Sequence, residues 1–224
     1  MMAVQDWPLP VSGFFGLLGI EEATFFLSGE STNSVTAGGE VIVHRRGTRL
    51  WQGEVVLGKS EPEAIAAQDT LIESLLEPGA SFMVYDRRQP APQDPAYPAG
   101  INWSAQSVTI QSLTPGNREL SLQGLPPNFT LRRGQKIGFQ YLASPVRFAI
   151  HRIMNATVSA DGTGATAPFE VTPFLRPGVV VGASVILDRP QLRAKLLSFK
   201  PGPGRSSLTQ GGSFTWQQTL GGGV

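Results

Sequence analysis

The sequence predicts an all-β fold, a β-sandwich or barrel, with one packed α-helix. Three observations carry this prediction. Glycine and proline, 26 and 18 of the 224 residues, are scattered as punctuation between short β-prone segments instead of clustering. Apolar residues alternate with period two in run after run from Val108 onwards. A single stretch, residues 60–77, has helical periodicity. These signals divide the chain into a β domain made of residues 1–112 plus 183–224, which carries the helix, and a small β-barrel domain inserted at 113–182. The length is sufficient to bury a sizeable core.

In chain order, Phe25-Phe26-Leu27 and residues 40–44 and 50–57 are expected as early strands. Residues 28–39, rich in Ser, Thr, Asn and Gly, are expected as a loop between the first two. Ser60 followed by Glu63 is a capping-box pattern, and Pro62 falls in the first turn, where a missing N–H costs little. Ala64, Ala67, Leu71 and Leu75 make a stripe widened by Ile65, Ile72 and Leu76, and Pro78-Gly79 ends it. Such a face packs on a sheet; binding a partner is the alternative.

Residues 81–85 are expected as a strand. Residues 89–100 contain Pro90, Pro92, Pro95 and Pro98, which deny a ladder its donors, so a long exposed loop is expected. It is either a contact with a neighbouring subunit or plain surface. In the barrel region the alternating sets are Leu120 and Leu122, then Ile137, Phe139 and Tyr141, then Phe148 and Ile150, then Ala165, Ala167, Phe169 and Val171. Four or five strands are expected here, with turns at Pro126-Pro127-Asn128, Arg133-Gly134, Ser144-Pro145 and Asp161-Gly162. Residues 173–182 read as an exit linker. Leu192, Ala194 and Leu196, and later Phe214, Trp216, Gln218 and Leu220, face a core, with a flexible loop at Pro201-Gly202-Pro203-Gly204-Arg205 between the two runs. Two strands cannot stand alone, so they are expected to return to the N-terminal sheet.

Composition removes several classes of function. Net charge is +1, from 18 basic and 17 acidic residues, so there is no electrostatic footprint for nucleic acid or an anionic membrane. Arg45-Arg46, Arg87-Arg88 and Arg132-Arg133 are isolated pairs, read as solvated turn residues. Only 16% of residues are charged, against about 25% in an average domain. Much of the surface therefore lies against other protein, or the outside is built from Ser, Thr, Gln and Asn. There is no cysteine, which excludes disulfides, thiolate metal sites and a Cys nucleophile and fits a reducing cytoplasm. Phe14-Phe15-Gly16-Leu17-Leu18 lacks a preceding basic region, and Asp6, Pro8 and Pro10 intervene, so no signal peptide is expected. No apolar run approaches the ~20 residues of a membrane span.

No catalytic constellation emerges. His44 and His151 lie in strand patterns without HxH or HExxH spacing. Glu21-Glu22 point to opposite faces of a strand, Glu61 and Glu63 sit at the helix start, and Asp86 and Asp94 flank the proline-rich loop. A glycosidase needs two carboxylates facing one cleft, which nothing here sets up. Asp161-Gly162-Thr163-Gly164 lacks the alternating acids of a calcium loop and reads as a hairpin turn using Asp and Gly for positive φ. No phosphate loop surrounds Gly134 or Gly138. Gly211-Gly212 reads as a turn and Gly221-Gly222-Gly223 as a frayed tail. The chain is read as no enzyme, with no catalytic, cofactor-binding or metal residue and no cofactor. Of the four tryptophans, Trp216 is expected in a core, while Trp103, with Tyr97, is the candidate for a sugar-stacking platform.

The C-terminal half carries an ordered series of motifs. Leu131-Arg132-Arg133-Gly134-Gln135-Lys136-Ile137-Gly138-Phe139 precedes a strand at 146–154 and the Asp161-Gly162-Thr163-Gly164 turn. Phe169-Glu170-Val171-Thr172-Pro173 and Leu175-Arg176-Pro177-Gly178 follow, then 185–190, 191–197 and 214–218. The order resembles that of the distal tail protein family of bacteriophages and gene transfer agents, the tail-end ring or baseplate hub proteins. The N-terminal half matches only in the order of its elements. The resemblance implies a structural virion protein whose β domain forms a ring, usually hexameric, at the distal end of the tail tube. Such a ring joins the tube to the hub and leaves a channel through which DNA passes without specific binding. Its partners would be copies of itself and the tail tube and tail hub proteins, with no membrane. It would reside in the virion tail after assembly in the host cytoplasm. A trimeric hub subunit and a carbohydrate-binding β-sandwich for host recognition are the alternatives. The separate lectin-like C-terminal domain of larger members is not expected within these 224 residues, which weighs against direct binding of host sugar.

Overall fold

The computed structural model describes residues 6–29, 31–45, 47–204 and 208–221. Its first half runs β1 (Ile20–Ala23), β2 (Phe26–Leu27), β3 (Ser31–Val35), β4 (Val41–Arg45), β5 (Trp51–Leu57), helix α1 (Pro62–Glu73) and β6 (Phe82–Val84). Next come β7 (Thr109–Leu113), β8 (Glu119–Gln123), β9 (Thr130–Arg132), β10 (Lys136–Tyr141), β11 (Arg147–Ile153), β12 (Thr157–Ser159) and β13 (Phe169–Thr172). The chain closes with β14 (Val185–Ile186), β15 (Leu192–Lys200) and β16 (Ser213–Gln218). The protein is mostly β with one helix, as the sequence predicts.

Two six-stranded sheets carry the structure. The first has the order β1-β5-β16-β15-β6, with β2 also on β5, and curls into a half-barrel. The second, β14-β10-β11-β13-β8-β7, nearly closes into a barrel. Backbone bonds from Ile110 N to Ala183 O and Val185 N to Val108 O bring its ends together. The last two strands do return to the N-terminal sheet, β15 against β6 and β16 against β5. The second sheet and its core draw on residues 108–187, so the strands at both of its ends reach past 113–182.

Alternation decides which side chains enter each core. Trp51, Val55 and Leu57 of β5 and Phe214 and Trp216 of β16 point inward with Phe14, Phe15, Phe25 and Phe82. Burying an aromatic or large aliphatic side chain contributes about 1.5–3 kcal/mol each, so this aromatic cluster dominates the half-barrel. Gly53 is required within it. Trp216 stands directly opposite, and a Cβ on Gly53 would lie 2.1 Å from Thr24 O and 2.8 Å from the Trp216 ring.

Strand β11 serves both cores. Ala149, His151 and Ile153 face the barrel, whereas Phe148 and Ile150 pack in the aromatic cluster. Phe148 and Ile150 therefore do not line the barrel, as their alternation suggested. A period of two places them on one face but does not say which core lies there. Polar bonds hold the seam: Trp51 Nε1 donates to Ile150 O (2.8 Å), and Gln218 accepts from Trp51 N and donates to Phe148 O.

Other local expectations need correction. Ser60 does not cap the helix. Its N–H and carbonyl pair with Thr209, Glu61 takes the cap position and no side chain bonds there. The helical face is Ile65, Ile72 and Leu75; Ala67 and Leu76 are exposed. Part of the expected 28–39 loop is strand β3, because β4 supplies it with a partner. Ala165 and Ala167 do not line the barrel. Thr166 points inward instead, its Oγ1 accepting from Leu122 N, and the strand begins at Phe169. In the Asp161 turn the left-handed residue is Gly164, at φ +83°. Leu197 marks a bulge in β15 and is exposed. Arg46, Arg205, Gly222 and Gly223 lie outside the described residues.

Candidate assembly interface

Strands β3 and β4 form a two-stranded arm that pairs with neither sheet. Its turn is closed by Thr36, whose N–H bonds Glu40 O and whose Oγ1 accepts from Glu40 N, with Gly39 at φ +83°. The register puts Val35 opposite Val41 and Asn33 opposite Val43 on one face, and Ser34 opposite Ile42 and Thr32 opposite His44 on the other. Both faces are open: Val35 is 69%, Val41 56%, Ile42 42% and Val43 61% exposed. An isolated hairpin is marginal in water, and β-branched apolar residues on an open edge offer a template for another chain. Chemically the arm can do two things: bury apolar surface, and add its free strand edges to a sheet.

The proline-rich segment is not a free loop. Asp94 Oδ2 accepts from Thr130 N (2.6 Å) and its Oδ1 from Ala96 N (3.0 Å). These backbone donors hold its carboxyl below the usual carboxylate range. Gln135 Nε2 bonds Gln93 O, Arg189 N bonds Pro90 O, and the Tyr97 hydroxyl donates to Pro127 O. The segment is thus strapped across the barrel wall. It encloses an open hollow of about 480 Å³ with Tyr97, Ile101 and Arg132 in its lining. Trp103 and Tyr97 both pack on Phe129, with centroids 5.3 and 5.7 Å away, and both are half-buried.

The ionisable residues of the sequence reading do not converge. Asp86 is buried between Lys136 (Nζ–Oδ2 2.8 Å) and Arg88 (2.9 Å), so Arg88 is an ion-pair partner and not a free turn residue. Burial pushes the Asp86 carboxyl up, but hydrogen bonds from Arg88 and Lys136 outweigh it and hold it below the usual range. Burial pushes Lys136 down, more than Asp86 recovers, and Arg152 and Arg88 add repulsion. His44 lies on the exposed arm, whereas His151 is fully buried and its Nδ1–H donates to Pro173 O (2.7 Å). Asp161 Oδ1 is occupied by Thr163 N, Thr163 Oγ1 and Ala165 N, as in a turn. Among the described residues no three His, Cys, Asp or Glu side chains stand together, and no helix is long and apolar enough to cross a membrane. Trp216 is in the core as expected. The arm itself escaped sequence reading, and its signal was Val41-Ile42-Val43 without a polar alternate face.

A scan against protein-family models finds no match, and no curated protein matches the chain in sequence.

Proposed function

We propose that the chain is a structural subunit that closes a ring with copies of itself at the distal end of a phage-type tail tube. It joins the tube to the hub and leaves a channel for DNA. The observation that carries this reading is the arm: four apolar side chains exposed on a hairpin that neither sheet covers. A ring needs one contact repeated by rotation, in which a projecting element of one copy meets a different surface of the next. The arm suits the projecting half of such a contact. The sparse charge, 16% of residues, is compatible with extensive contact surface. The ordered motifs shared with distal tail proteins supply the tail, hub and virion setting, and the same reading makes the chain no enzyme.

Light scattering and negative-stain microscopy of the purified chain test the proposal, alone and with Val41→Asp/Val43→Asp. The expected result is a closed hexameric ring that the double variant reduces to folded monomers. A trimer that depends on the same valines assigns the hub variant. A wild-type monomer at high concentration, or a ring indifferent to the arm, refutes the proposal. The carbohydrate-binding alternative predicts glycan binding that is lost in Trp103→Ala.

A further inference from the structure

Arginines gather at one end of the barrel without an acid beside them. Arg49 and Arg176, with Thr48, Thr172 and Phe174, line a cavity of about 230 Å³. Arg176 Nη2 donates to Arg49 O (3.3 Å), Arg49 Nε donates to Ser28 O (3.0 Å), and Arg118 lies over the Phe174 ring (4.7 Å). The ion pairs among the described residues involve Arg88, Lys136 and Arg189, so none of these arginines is matched by a carboxylate there. Tyr141 and Arg147 face each other across β10 and β11 on the barrel side, outside the cavity lining. The Tyr141 hydroxyl and Arg147 Nε are both buried and make no hydrogen bond. Burial lowers the proton affinity of Arg176, Tyr141 opposes this, and Arg147 adds to it by repulsion at longer range.

Buried donors without acceptors are costly, and so is a group of like charges in a partly dry site. An oxyanion in the cavity relieves the second cost, because its charge offsets the guanidinium groups and its oxygens accept from those of Arg49 and Arg176. The planar arginine fork matches carboxylate and phosphate geometry. We infer that this cavity binds a small oxyanion, a phosphate or carboxylate group, between Arg49 and Arg176. The inference is independent of ring assembly.

Calorimetric titration of the full chain at pH 7.5 and constant ionic strength, with inorganic phosphate and separately with acetate, tests it. One saturable site is expected, weakened about ten-fold or more by Arg176→Gln or Arg49→Gln, since each loses a charge-assisted hydrogen bond. Arg87→Gln, on the exposed surface, leaves binding unchanged. A site for phosphate alone assigns a phosphoryl ligand, and a site for acetate alone assigns a carboxylate. If Arg176→Gln does not fold, Arg176→Lys keeps the charge but not the fork and is expected to bind more weakly than wild type. No saturable site for either anion in the wild type, or equal binding by every arginine variant, overturns the inference.

Discussion

Replacing Asp86 with alanine tests the joint between the two sheets. Asp86 follows β6 of the half-barrel, and Lys136 begins β10 of the barrel, with side chains 3% and 5% exposed. The substitution strands the Lys136 ammonium while removing its only anionic partner among the described residues. An uncompensated buried charge costs about 3–5 kcal/mol. An independent bound comes from deprotonation. An ordinary lysine titrates about 3.4 pH units above neutrality, at about 1.4 kcal/mol per unit, so shedding the proton limits the loss to about 4.6 kcal/mol at pH 7. The Arg88 contribution is smaller, because its side chain is 54% exposed and solvent-screened. Urea denaturation at pH 7 is therefore expected to show a loss of about 3–5 kcal/mol. Once Lys136 is neutral in the folded variant, the unfolded chain holds one more proton. Stability of the variant then rises with pH, and the deficit shrinks by about 1.4 kcal/mol per unit above pH 7. Asp86→Ala/Lys136→Met is expected to recover much of the loss. A deficit under about 1 kcal/mol that does not depend on pH would mean that the pair is effectively solvated and does not hold the two sheets together.

Three further outcomes are expected. Gly53→Ala forces a Cβ against Thr24 O and the Trp216 ring and should cost about 3 kcal/mol or more in denaturant unfolding. Burial, with Arg176 adding to it against the Pro173 hydrogen bond, holds His151 neutral down to about 4, from an ordinary 6.5. The unfolded chain then takes up a proton that the folded one refuses, so about 3 kcal/mol is lost as pH falls from 6.5 to 4. The difference between wild type and His151→Gln across that window isolates this share, and parallel curves would disprove it. Asp94→Ala frees the strap from Thr130 N and Ala96 N, so limited proteolysis should cut within residues 89–100 faster than in wild type.

Legibility followed locality. The helix, the face of β16 and the return of the last strands to the first sheet could be read because periodicity and the instability of an isolated strand pair are properties of the chain itself. The role of Phe148 and Ile150 could not be read, because alternation is blind to which core a face meets. Ser60 had the chemistry of a cap but was taken by Thr209, far along the chain. The Ser/Thr/Asn segment became strand β3 only because β4 lay beside it. Of the candidate surfaces, the tryptophans were visible in the sequence. The arm and the arginine cavity were not, since both depend on what the rest of the fold leaves uncovered.

The scarcity of charge, the alternating strands and the one helix were settled along the chain, since they follow from residue type and spacing on a line. That β11 faces two cores, that Asp86 closes on Lys136, and that four apolar residues of the β3–β4 arm stand exposed came from packing in three dimensions. The physical reason is that burial and ion pairing depend on neighbours distant in the chain, and no local pattern encodes their approach.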